Sequence, residues 1–119
     1  INRTLRDNYP DSICGVVHQG IHRYNERIGE HVPVRDRCQF SWYCDGWVDN
    51  PREGRTWKSA QELAKKVLIN YYDKALIDIT DGATHYHATW METYPRWSKT
   101  KKVMASIDRH IFYGSRKTL

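Results

Sequence analysis

Gln39-Phe40-Ser41-Trp42-Tyr43-Cys44-Asp45-Gly46 sets three aromatic rings, a thiol, an amide and a carboxylate in eight consecutive residues and closes on an Asp-Gly turn signal. Flat rings with polar tips at this density suit the wall of a cleft for a polar ring substrate. The plainer reading is the edge of an aromatic core. A second polar-aromatic run, Gly82-Ala83-Thr84-His85-Tyr86-His87-Ala88, follows the longest helical pattern, and two such runs facing one another would make a cleft.

With 119 residues the chain is long enough for one domain with a core of its own, and a single domain over residues 1–119 is expected. Nineteen Lys and Arg stand against fourteen Asp and Glu, a formal charge of +5, which favours an anionic partner without naming one. Lys99, Lys101 and Lys102 form the one tight basic run, and it reads as a solvated face rather than a phosphate site. Nucleic acid is not expected as a partner, because neither a groove-reading motif nor a basic helix occurs. No apolar stretch reaches the roughly 20 residues needed to cross a bilayer, so no membrane span is expected, and no signal-peptide pattern is present.

Ile1-Asn2-Arg3-Thr4-Leu5 reads as the end of a helix that starts before Ile1, stopped by Asn8-Tyr9-Pro10. Asp11 or Ser12 then caps a short apolar turn, Ile13 to Val17, expected to be buried. Gly20 to Arg37 is polar and charged, with Gly20, Gly29 and Pro33, and reads as a long surface excursion over residues 20–37. Asn50 to Arg55 carries loop signals. From Thr56 as cap, Trp57, Ala60, Leu63, Ala64, Val67, Leu68 and Tyr71 recur at spacings of three and four, which predicts a scaffold helix with Trp57 in the core. Thr80-Asp81-Gly82 reads as a turn, Ala83 to Ala88 as a strand and Ile107 to Tyr113 as its partner strand.

Two residue sets allow a metal site. Cys14, Cys38 and Cys44 lack any C-x-x-C pair, so zinc held by them is not expected; one disulfide plus a free thiol and three reduced thiols both remain open. His85 and His87 share a strand face, and His110 on a neighbouring strand would complete a three-histidine zinc set. Cross-strand packing is the preferred reading of these rings, and neither a metal nor another cofactor is expected.

Asn2-Arg3, Pro10-Asp11-Ser12-Ile13-Cys14-Gly15-Val16-Val17-His18-Gln19, Cys38 to Gly46, Gly82 to His87 with Pro95-x-Trp97, and His110-Ile111-Phe112-Tyr113 together resemble the SleB/CwlJ-type cell wall hydrolases, which include spore-cortex-lytic enzymes and phage relatives. The resemblance runs through nearly the whole chain, in the family's order. It implies an α+β, lysozyme-like mixed helical domain with a small antiparallel β element, acting on peptidoglycan glycan strands outside the cytoplasm, in the wall, the periplasm or a phage virion. The family's catalytic glutamate lies in a helix upstream of the Asn-Arg pair. The general acid is therefore expected before Ile1, and residues 20–37 look longer than the family's usual connection.

Glycosidic cleavage needs a carboxylic acid held protonated to donate to the leaving oxygen. A transglycosylase uses the same group as base, so one glutamate suffices. Around it the cleft must orient sugars: Gln39, Ser41, Thr84 and Tyr86 are the right types for hydrogen bonding and Phe40, Trp42 and Trp97 for stacking, and His85 is expected among the substrate-binding residues with them. Asp45 most simply makes an Asx-type turn. Glu26, Glu30, Glu53 and Glu92 sit in loop-like surroundings and Glu62 on the polar helix face, so none is taken as the acid. The alternative is a non-catalytic peptidoglycan-binding or phage virion module of the same fold. If the family motifs pack as implied, Cys14 lies near Cys44 and is the favoured partner should any bridge form, with Cys38–Cys44 as the competing pair.

Overall fold

The computed structural model describes residues 1–47 and 54–116. A 3-10 helix at Asn2–Leu5 stands where the helix tail was expected, and α1 follows at Ile13–Val17. Ser12 is its cap: the hydroxyl accepts from the Gly15 N–H at 3.0 Å, satisfying a donor that the first helical turn leaves without a partner. Of α1 only Val16 is buried, whereas Ile13 and Cys14 are exposed, so the turn is less enclosed than its apolar sequence implies.

Residues 20–37 are not an irregular excursion. They fold almost entirely into an antiparallel hairpin of β1, Gly20–Asn25, and β2, Glu30–Cys38. The turn is built by Asn25, whose side-chain oxygen accepts from the Arg27 N–H and whose carbonyl accepts from the Gly29 N–H, with Gly29 at φ +69°. Register slips between Gly20, paired with Cys38, and His22, paired with Pro33, so Val34 to Arg37 bulge outward with Asp36 at φ 60°. Pro33 is tolerated because β2 has a partner on one side only. Glycine is required at position 20: φ is +152°, and a Cβ there would lie 2.7 Å from the Arg37 carbonyl oxygen and 3.0 Å from the Cys38 sulfur.

Cys38 ends β2 and is bridged to Cys44, with Cα atoms 6.2 Å apart. Cys14 is exposed and free, so the expected Cys14–Cys44 bridge is not formed. The pairing changes the reading of the aromatic stretch. Gln39 to Tyr43 do not run on as an extended wall; they form a closed loop that folds back through a 3-10 helix at Ser41–Cys44. Contact with the end of α1 is nevertheless made, through the Gln39 N–H donating to the Gln19 carbonyl at 3.0 Å.

The spacing of apolar residues does produce the long helix, α2, at Gly54–Tyr72. It begins before Thr56, and the remainder of the expected Asn50 to Arg55 loop lies outside the described residues. None of its residues is buried, and Trp57 is 41% exposed rather than part of a core.

The chain divides into two compact units, Ile1 with Arg3–Ala64 and Asn2 with Lys65–Leu119. The second unit is built on a three-stranded antiparallel sheet of β3, His85–Ala88, β4, Lys101–Ile107, and β5, His110–Arg116, in the order β3-β5-β4. The expected pairing of the last apolar run with the His85 strand is present, but Ile107 belongs to β4. Asp108 and Arg109 form a two-residue turn, Asp108 at φ 51°. A Pro95-capped 3-10 helix at Arg96–Lys99 leads into β4, which takes up Lys101 and Lys102. The protein is therefore mixed α+β, with few helices and small antiparallel sheets.

Non-reduced peptide mapping should recover a Cys38–Cys44 cross-linked fragment with Cys14 alkylated. Because the closed loop is short, with a sequence separation of 6, removing the bridge with Cys44→Ser should cost roughly 2 kcal/mol in denaturant unfolding. A Cys14–Cys44 fragment would overturn the hairpin-loop geometry.

Candidate functional site

Four of the residues expected to bind sugar lie together in the disulfide-closed loop of the first unit. Gln39 and Ser41 are exposed, Trp42 is 48% exposed, and Phe40 is half-buried with its ring 6.1 Å from that of Trp42. The Arg3 guanidinium sits over the Phe40 ring at 5.5 Å and over the Tyr9 ring at 5.1 Å, a cation–π arrangement that fixes one side of the loop. Tyr43 serves as the loop's anchor. Its ring stacks on His18 at 4.7 Å, and its hydroxyl meets His22 Nε2 at 3.1 Å. Asp45 makes the expected Asx turn, its carboxylate accepting from the Trp47 N–H at 2.9 Å.

The second unit divides its expected site residues between two sheet faces. Antiparallel pairing puts His85 opposite Tyr113 and His87 opposite Ile111, while Tyr86 opposes Phe112 and Ala88 opposes His110. On the first face Trp97 packs on His85 at 5.0 Å, on His87 at 5.7 Å and edge-on to Tyr113 at 5.2 Å, and Tyr94 lies 4.2 Å from His87. Thr84 joins this cluster: its hydroxyl is 2.9 Å from His85 Nδ1 and its N–H donates to the Tyr113 carbonyl. The second face carries Tyr86, 59% exposed, stacked on Phe112 at 5.8 Å with His110 against its edge at 5.7 Å.

Strand parity also decides the three-histidine zinc geometry. His110 is on the face opposite His85 and His87 and does not converge with them. His87 is 5% exposed, and both ring nitrogens already have partners, Nδ1 at 2.9 Å from the Ala88 carbonyl and Nε2 at 2.8 Å from the Tyr113 hydroxyl. Among the described residues no group of three His, Cys, Asp or Glu side chains could hold a metal ion. Glu26, Glu30, Glu62 and Glu92 are all exposed, and Glu53 lies outside the described residues.

Sequence reasoning did not single out Asp78, the most heavily engaged carboxylate in the second unit. Oδ1 accepts from the Thr80 N–H at 2.9 Å and the Thr80 hydroxyl at 2.6 Å, and Oδ2 from the Gly82 N–H at 2.8 Å and the Asn2 amide at 2.9 Å. The Asn2 amide also donates to the Ala83 carbonyl at 2.8 Å. Partial burial works to raise the Asp78 pKa, but the donors from Thr80, Asn2 and Gly82 together outweigh it and hold the carboxyl at about 2. The signal was in the sequence: Asp78-Ile79-Thr80-Asp81-Gly82 is an Asx-turn pattern. Asp78 thus ties Asn2, the first residue of the motif series, to the strand entry that carries Thr84 and His85.

The model of the family described as cell wall hydrolase matches residues 1–113. This chain belongs to the cell wall hydrolase family. The match takes in both aromatic clusters, the hairpin and Asp78, and so bears out the SleB/CwlJ-type resemblance. No curated protein and no solved structure matches the chain. A cell wall hydrolase acts on peptidoglycan, hence on the wall outside the cytoplasm, and among the described residues no helix is long and apolar enough to cross a membrane.

Asp78→Asn should loosen the turn before β3. The folded pKa of about 2 lies below the ordinary 3.8, so the carboxylate's contribution is complete above about pH 4 and is lost as pH falls through 2. For this solvent-accessible group it amounts to about 1 kcal/mol. Urea unfolding at pH 7 and pH 2 should show a wild-type advantage over Asp78→Asn at pH 7 that vanishes at pH 2; an equal gap at both would show that the ionised carboxylate is not what stabilises the turn.

Proposed function

We propose that this cell wall hydrolase cleaves the glycan strand of peptidoglycan, as a lytic transglycosylase or muramidase on a lysozyme-like fold. Gln39, Phe40, Ser41 and Trp42 of the first unit and Thr84, His85, Tyr86 and Trp97 of the second are the groups proposed to bind sugar. The observation that carries the reading is the disulfide-closed loop within the family match: it exposes an amide, a hydroxyl and an indole together, the set that orients and stacks a sugar ring. Tyr86 adds a phenol on an open sheet face. His85 and Trp97 are more enclosed and suit a supporting place beneath the sugar contacts.

The chemistry asks for a protonated carboxylic acid at the leaving oxygen, and a glutamate keeps its proton near neutral pH when an apolar pocket penalises its charge. Glu26, Glu30, Glu62 and Glu92 have no such pocket, being exposed. The proposed acid is a glutamate in a helix leading into Asn2-Arg3. The same exposure favours one second reading, a peptidoglycan-binding or phage virion module that retains the sugar contacts without the cleavage.

Residues 1–119 alone should leave purified walls turbid, and a form extended upstream through that helix should clear them. In the extended form Gln39→Ala and Tyr86→Phe should each lower turnover at least tenfold, about 1.4 kcal/mol of transition-state stabilisation, with unfolding midpoints unchanged. Clearing by residues 1–119 would return the acid to Glu26 or Glu30, and unaltered turnover in both variants would remove these residues from the site.

A further inference from the structure

Besides the Arg3 guanidinium over the Phe40 ring, the loop between Cys38 and Cys44 is held at three places. The disulfide joins its ends, and the Gln39 N–H docks on the Gln19 carbonyl. The third restraint is Tyr43, the loop's inward-turned side chain, gripped by His18 and His22.

The two histidines grip Tyr43 differently. His18 supplies only a stacked face, whereas His22 holds a defined atom. His22 Nδ1 lies 3.3 Å from the Gly20 carbonyl oxygen, which can only accept, so the ring hydrogen belongs on Nδ1 and Nε2 is left to accept from the Tyr43 hydroxyl. Gly20 in turn pairs with Cys38 and lies so close to its sulfur that no Cβ fits. The result is a closed circuit: Gly20 carbonyl, His22 ring, Tyr43 hydroxyl, Cys44, the disulfide, Cys38 and back to Gly20. His22 is the member that brings β1 to the loop by a side chain, and it is itself exposed.

We propose that His22 is a positioning residue for glycan binding: through Tyr43 it holds the loop in the conformation that presents Gln39, Ser41 and Trp42 to the sugar. The inference rests on the reading of that loop as a sugar-binding element. A bridge restrains only the ends of the segment, and the residues between retain backbone freedom that must be given up on binding unless another contact has already removed it. The His22–Tyr43 hydrogen bond removes it at the position next to Cys44. The hairpin over residues 20–38 thereby acquires a task, since it carries the acceptor that sets the loop.

The test measures binding isotherms of the protein on purified peptidoglycan sacculi by depletion. His22→Ala and Tyr43→Phe should each weaken binding about tenfold, and the double variant should be no weaker than either single, because both remove one interaction. His22→Gln, which offers an acceptor where Nε2 stood, should recover most of the affinity. Unfolding midpoints should stay together across the set. Additive losses, no rescue by glutamine, or unchanged binding in His22→Ala while Gln39→Ala and Trp42→Ala weaken it would each overturn the positioning role alone. Unchanged binding in Gln39→Ala and Trp42→Ala would overturn the loop's sugar-binding reading, and the proposal with it.

Discussion

A single hydrogen bond, from the Tyr113 hydroxyl to His87 Nε2 at 2.8 Å, sits at the centre of the second unit, and the sheet is arranged around it. Both residues are buried, and few others among the described residues are. The cluster that encloses them, His85, Tyr94 and Trp97, is made of rings with polar edges. Such a core obtains less from burial than an aliphatic one of equal volume, and its polar atoms must all find partners or the burial counts against stability. The Ala88 carbonyl takes the other ring nitrogen of His87, and the Thr89 carbonyl takes the Tyr94 hydroxyl. The His87–Tyr113 bond thus ties β3 to β5, while strand alternation puts His85 and Tyr86 on opposite faces.

The first unit solves the same shortage of apolar interior by covalent means. Its buried hydrophobics are Val16 and Cys44, and Cys44 is one end of the bridge. A histidine with Nδ1 toward a carbonyl and Nε2 toward a tyrosine hydroxyl occurs here too, as His22 with Gly20 and Tyr43. The arrangement therefore appears twice among the described residues, once enclosed and once at the surface.

What was legible beforehand was whatever depends on short-range pattern. Ser12 as a cap, the period of α2, the Asp45 turn and the pairing of the His85 strand with the last apolar run follow from residue type and spacing, and the family motifs carried the membership. The hairpin over 20–38 was not legible because its strands lack the alternation that marks a half-buried strand: neither face covers a core, so nothing selects apolar residues at every second position. Within Ile107 to Tyr113 the turn was hidden because Asp108 adopts positive φ without a following glycine. The disulfide partner was not legible because spacing alone admits both Cys14–Cys44 and Cys38–Cys44. Of the candidate site, the loop residues were singled out by type; the Asp78 turn was open to reading from its local pattern, whereas its contact with Asn2 and the His22–Tyr43 contact depend on tertiary neighbours.

The two-residue turn at Asp108–Arg109 has a bearing on the order in which the second unit assembles. β4 and β5 are adjacent in sequence, so their hairpin closes almost no loop and belongs to events on the microsecond scale. β3 must instead be brought back across more than twenty intervening residues to pair with the far edge of β5, and that closure entropy is met before any ring contact repays it. Loop-closure entropy therefore favours an order in which strand β3 docks after the β4–β5 hairpin. Until it does, Tyr113 and Trp97 face solvent beside an unpaired strand edge, which makes the late step of folding the one at which a nascent chain is most open to association with its neighbours.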